Sequence, residues 1–299
     1  MGDPCAARAH AGRMLLPADA RYPDRLHDLE RPPAALHLRR PAGPERLAVL
    51  LADPVVAVVG AREATAEGRA FAHRLAGELA GAGVAVVSGL ARGIDAAAHA
   101  GALARGGRTA AVLGCGIDRD YPRATAHLAA VIAREGAVLS EYAPGTPPAP
   151  FRFPERNRIV AALAQCVVVV EAHARSGALI TARLALELGR DVLAVPGAPW
   201  QPAAAGTLAL LRDGAHPCLG AADVLIALGR DPGRARADDP ALGADARRLL
   251  ACLRREEGSD LVLARRAGLG DGAFADAVLA LVAGGLVRRR PDGRLVPNA

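Results

Sequence analysis

The chain contains no lysine: the 37 basic side chains among its 299 residues are all arginine, set against 31 acidic ones for a formal charge of +6. Without lysine the usual GxxxxGK[ST] phosphate loop cannot form, which argues against P-loop nucleotide hydrolysis. Nor does any single arginine mark a site by its type, because arginine is the default surface cation here. Only arginines inside glycine-bearing or otherwise constrained motifs count. Aromatic residues make up 3% of the chain, so few faces are available for stacking on bases. The five cysteines (Cys5, Cys115, Cys166, Cys218, Cys252) are scattered, odd in number and without a CxxC pair. That excludes a disulfide framework and a zinc knuckle and leaves buried thiols. No apolar run of about 18 residues escapes charge, so no transmembrane helix is expected, and the first residues lack the apolar core of a signal peptide. The expectation is a cytoplasmic protein with no membrane partner. HExxH, a GxSxG elbow and His/Cys metal spacings are all missing, so no catalytic set, metal or cofactor is expected.

What is present is periodic. Short apolar, β-branched runs recur at Val55–Val59, 84–87, Thr109–Leu113, 137–139, 167–170 and 192–195, their starts 25 to 30 residues apart. That is the length of a βαβ unit. Helical stretches lie between them; the first places Phe71, Leu75 and Leu79 on one face. Continuous apolar strands alternating with amphipathic helices predict a doubly wound α/β domain, its mainly parallel sheet covered on both sides. Residues 1–52 are irregular and proline-rich and read as an arm packed on this domain, which spans 53–228. The charged, Pro/Gly-rich stretch 229–243 reads as a linker. Residues 244–299 fit three short helices and a hairpin turned at Asp292-Gly293; this order resembles a winged helix.

Three strand-to-helix turns carry candidate anion contacts, since backbone N–H groups and the helix dipole favour negative charge there. The first holds Gly60 and Arg62. The second, SGLARGID, holds Ser88, Gly89, Arg92 and Gly93, with Asp95 able to cap the next helix; its spacing is not GxGxxG, and no acid ends the second strand to hold a dinucleotide ribose. The third holds Ser176, Gly177 and Thr181. A fourth segment, FRFPERNR at 151–158, sets Phe153, Arg156, Asn157 and Arg158 before a helix; arginine forks grip phosphate and aromatic faces stack on bases. Arg62 and Arg156 are expected to face the C-terminal edge of the sheet, with neither in the core. His99, in AAAH, reads as a helix-surface or core histidine.

VAVVGAR, VVSGLARGIDAAAH, TAAVLGCGID with its following YP, LSEYAPGTPP, FPERNRIVAAL and ARSGALITARLALELGRDVLAVPG stand in the order and spacing of the DNA-processing (DprA/Smf) family, which the chain resembles over residues 22–226. The resemblance implies an extended Rossmann-like domain followed by a small winged helix. It further implies a non-enzymatic, single-stranded DNA-binding homodimer that protects incoming DNA in natural transformation and helps load the recombinase RecA. It assigns the DNA pocket to the same loops. Two positions depart from the family pattern: Ala61 replaces a usual serine, and Leu208 a usual asparagine. The alternative is a nucleotide-processing hydrolase of the phosphoribohydrolase type. Those proteins carry PGGxGT followed by a glutamate, where this chain reads ARSGALITARLALE. A winged-helix transcription factor with an α/β ligand sensor is a third reading.

Overall fold

The computed structural model describes residues 14–39, 44–52, 54–232, 242–256 and 258–297. The chain divides into two compact units, 1–229 and 230–299.

In chain order the first unit holds β1 (Met14–Leu15), β2 (Leu36–Leu38), α1 (Pro44–Leu50), β3 (Val55–Val59), α2 (Ala66–Gly81), β4 (Ala85–Ser88), α3 (Ile94–Ala104), β5 (Thr109–Leu113), α4 (Ala126–Glu135), β6 (Ala137–Ser140), α5 (Arg152–Leu163), β7 (Cys166–Val169), α6 (Gly177–Glu187), β8 (Asp191–Ala194), α7 (Ala205–Arg212), β9 (His216–Pro217) and α8 (Ala221–Ala227). The sheet runs β1-β2-β6-β5-β4-β3-β7-β8-β9. From β6 to β9 all neighbours are parallel. The six apolar runs became β3 to β8 within a residue or two. Every residue of β3 and β7 is buried, as strands covered by helices on both faces must be. The domain is a Rossmann-like, mainly parallel α/β fold.

The arm is less irregular than its sequence implied. Leu36 and Leu38 are fully buried with His37 between them, and β2 adds to the sheet edge antiparallel to β6. Three residues of alternation are too few to register as a strand in the sequence. Residues 1–13 and 40–43 of the arm lie outside the described residues.

The second unit holds α9 (Ala244–Arg255), α10 (Asp260–Ala267), α11 (Asp271–Ala283), β10 (Val287–Arg289) and β11 (Leu295–Pro297). Leu249, Leu250, Leu253, Leu263, Phe274 and Leu281 form its core with Val287 and Leu295 of the hairpin. Gly268 closes α10 in the left-handed conformation at φ 64°, where a Cβ would be strained. Of the stretch read as a linker, residues 233–241 lie outside the described residues.

Candidate nucleic-acid interface

The chain leaves β3 towards β4, β5 and β6 on one side, then returns to β7 on the other. Such a reversal opens a crevice beyond the carboxyl ends of the two central strands, where open α/β sheets bind ligands. A cleft of about 660 Å³ lies there, bordered by the turns after β3, β4 and β7 and by the first two turns of α5. All but three of the expected residues line it.

The three that do not are instructive. Ser88 is fully buried, its hydroxyl donating to Val58 O at 2.6 Å. Gly93 precedes α3 at φ 80°, where a Cβ would stand 2.2 Å from Ala61 O. Arg158 grips Glu141 through both terminal nitrogens, at 2.9 and 2.6 Å. A guanidinium held in this two-pronged way on a largely buried carboxylate has its charge balanced within the domain.

Arg156 corrects the expectation more sharply. It is 4% exposed and belongs to the floor of the cleft. Its Nη1 donates to Gly89 O at 2.6 Å and also to Val112 O, joining the ends of β4 and β5. A Cβ on Gly89 would lie 2.5 Å from this guanidinium. The glycine therefore makes room for Arg156 and not for an anion. Gly60 is similar: its missing Cβ leaves space that Ile94 fills at 2.6 Å. Gly177 differs, because nothing stands within 4 Å of its Cβ position. It opens α6 beside Ser176, whose hydroxyl accepts from Ala178 N at 3.3 Å, and Asn157 Nδ2 donates to Gly177 O at 3.1 Å. The Ser176 and Leu179 amides of this turn donate to His173 O and Ser176 O, so what the turn offers a phosphate is the open space at Gly177 and the start of α6.

At the floor, and behind it, lie buried polar groups. Burial pushes the Asp95 carboxyl up, while the Arg156 charge pulls it down. The same burial pushes the Arg156 guanidinium down, opposed by Asp95. Ala91 N donates to the Asp95 carboxylate at 3.3 Å. His99 is fully buried with Nδ1 2.7 Å from Thr109 Oγ1. Since the Thr109 hydroxyl donates to Val86 O at 2.9 Å, Nδ1 is assigned as the protonated nitrogen. Burial, reinforced by Arg156, lowers the His99 pKa to about 3.

The rim carries the mobile charge. Arg62, Arg92 and Arg175 are exposed and line the cleft. Arg62 lies over the Phe153 ring at 5.2 Å from its centroid, a cation–π distance. Tyr121 stacks on the same ring, centroids 5.4 Å apart and planes inclined by 24°. Tyr121 and Arg175 were not singled out from the sequence, although each sits in a quoted motif. Among the described residues no cluster of His, Cys, Asp and Glu could hold a metal ion, and no helix is long and apolar enough to cross a membrane.

Known proteins resemble this chain in sequence and fold. The profile of the family described as DNA recombination-mediator protein A matches residues 13–229. Protein Smf of Synechocystis is 42% identical over 221 residues, covering 74% of this chain and 55% of that one. DNA processing protein DprA of Streptococcus pneumoniae is 46% identical over 176 residues, covering 59% and 62%. The chain thus spans a little over half the length of these curated relatives. The X-ray structure of the pneumococcal protein superimposes with a TM-score of 0.67 at 38% identity, covering 76% of this chain and 78% of that one. The DNA processing protein A of Helicobacter pylori, whose structure concerns a single-stranded DNA binding mode, gives 0.64 at 29% identity, covering 73% and 96%. The motif series, the strand order and the family match agree: this chain belongs to the DNA recombination-mediator protein A family.

Proposed function

We propose that this chain binds single-stranded DNA in the cleft between β3 and β7, protects incoming DNA during natural transformation, and assists its transfer to RecA as a homodimer. The observation that carries the reading is the rim: three exposed arginines around a stacked aromatic pair, beside a glycine turn with open space at the start of α6. Arginines and amides take phosphate with no sequence information. The Tyr121–Phe153 pair offers faces that only unpaired bases can meet, so single strands are preferred to duplex. Asp95, at the floor of the cleft, accepts from Ala91 N, and His99 is fully buried against Thr109, an arrangement that supports a binding module over an enzyme.

The test compares an oligothymidylate with a duplex of equal length across a salt series. The single strand should bind more tightly. Each of Arg62→Ala, Arg92→Ala and Arg175→Ala should flatten the slope of log K against log salt by roughly 0.7. Equal affinity for duplex, or a triple variant with an unchanged slope, refutes the assignment. Sedimentation at micromolar concentration reads the homodimer; a monomer throughout removes that part.

A further inference from the structure

Arg39 follows β2, a strand supplied by the N-terminal arm, and only 7% of it is exposed. Its N–H donates to Val138 O at 3.0 Å, one step past the β2–β6 pairing. A buried guanidinium is costly unless its donors are satisfied. Here Nε donates to Ile117 O at 2.8 Å, Nη2 to Arg119 O at 2.7 Å and Nη1 to the Asp120 carboxylate at 2.7 Å. All three acceptors lie in one short run, about 80 residues away in sequence. The next residue is Tyr121, 44% exposed and stacked on Phe153 in the cleft.

The loop has other ties as well, and within the run Asp118 Oδ1 accepts from Gly145 N at 2.8 Å. Gly116 N donates to Thr146 O at 2.9 Å, and Thr125 Oγ1 to Leu90 O at 3.1 Å. Arg119 Nη2 donates to Gly145 O at 2.9 Å, joining the loop to a neighbouring turn. Arg39 ties Ile117, Arg119 and Asp120, in the run just before Tyr121, to the end of β2. We infer that Arg39 is a positioning residue for the single-strand site: it fixes the 117–120 run so that Tyr121 stands against Phe153 as an aromatic wall. The inference rests on the proposed single-strand binding. It makes the arm part of the site without Arg39 touching the nucleic acid.

The full chain, a labelled oligothymidylate and a double-mutant cycle test this, with a thermal melt of each variant. Binding by the unmodified chain is the first reading; its failure sinks the proposed function before any variant is made. Given binding, Tyr121→Ala should weaken it roughly 5- to 150-fold, the range of one lost stacking contact. Arg39→Gln should weaken it at least about 3-fold, and the double variant should bind within roughly twofold of Tyr121→Ala alone, because residues acting through one contact do not add. A purely structural role for Arg39 lowers the melting temperature equally in both backgrounds and makes the binding losses multiply; that result overturns the inference, as does Arg39→Gln binding like the unmodified chain. Should Arg39→Gln fail to fold, Asp120→Asn takes its place in the cycle. It leaves the two carbonyl contacts of Arg39 intact. A loss of roughly twofold that vanishes beside Tyr121→Ala supports the inference, and no loss overturns it.

Discussion

Arginine is abundant in both units and is used differently in each. In the helical unit, α9 turns Leu249, Leu250 and Leu253 inward and leaves Arg247, Arg248, Arg254 and Arg255 exposed. Its ion pairs, Arg248–Asp245, Arg266–Glu256 and Arg289–Asp260, lie at the surface at 2.7 to 2.9 Å. Pairs of that kind contribute about 0–1 kcal/mol each. In the α/β unit Arg39 and Arg156 are buried, and Arg158 is locked to Glu141. Arg62 is exposed yet held over an aromatic ring. The difference teaches that neither number nor local density of arginines identifies a site in this chain. What identifies it is the set of acceptors and rings that the fold brings to each guanidinium.

The sharpest way to break that comparison is Arg156→Met, which keeps the apolar stem and removes every donor. Gly89 O and Val112 O lose their partner, and the Asp95 carboxylate is left buried without its countercharge. Leaving a buried carbonyl without its donor costs about 1–3 kcal/mol, and two are left here. Chemical denaturation of the variant should show a loss of that order, partly restored by adding Asp95→Asn. An unchanged denaturation midpoint would mean that Arg156 is not the pillar its contacts imply.

That burial was readable in the sequence. Arg156, Ile159, Val160 and Leu163 recur at i, i+3, i+4 and i+7, the inward stripe of a helix, and all four are buried in α5. The reading of FRFPERNR as a segment standing before a helix, with Arg156 outside the core, weighed residue type and ignored phase; the helix already starts at Arg152. The sheet itself was legible because each central strand is a continuous apolar run bounded by turn residues, so type and phase agree. β2 was not, because Leu36-His37-Leu38 is too short to show a period. The glycine turns were located from sequence, but the reason for each glycine was not. Whether the space beside it is filled by Ile94, by Arg156 or by nothing depends on contacts 20 to 70 residues away. Tyr121 belongs to the site through a loop pinned from the arm, and no local pattern marks it.

A second effect separates the buried cluster from the rim by pH. The folded pKa of His99 is about 3, below its ordinary value of 6.5, because burial and then Arg156 disfavour the imidazolium. The unfolded chain therefore takes up a proton near pH 6.5 that the folded chain refuses until about pH 3. Stability from this residue is complete above pH 6.5 and is lost as pH falls towards 3, by about 1.4 kcal/mol per pH unit. Denaturation of His99→Leu against pH should show a slope shallower by that amount between pH 6 and 4. Parallel slopes would place the imidazole in contact with solvent.

The smallest effect is expected from the hairpin of the helical unit. Arg288, Arg290 and Arg294 are exposed around the β10–β11 turn and form as dense a basic group as any in the chain. Their neighbours supply no aromatic partner: none of the aromatic stacks or cation–π contacts found among the described residues involves the hairpin. The preceding helix α11 carries Asp271 and Asp276 and no arginine, so it brings no positive charge with which the hairpin could track a backbone. Replacing all three arginines by glutamine should change stability by less than about 0.5 kcal/mol, as surface substitutions do. Single-strand affinity at physiological salt should fall less than for Arg62→Ala alone, with rim charges acting only within a Debye length of about 8 Å. Titration of both variants with the same oligothymidylate at two salt concentrations decides the matter. If the triple hairpin variant loses more affinity than Arg62→Ala, binding follows net charge wherever it sits, and the distinction between constrained and ordinary arginines fails.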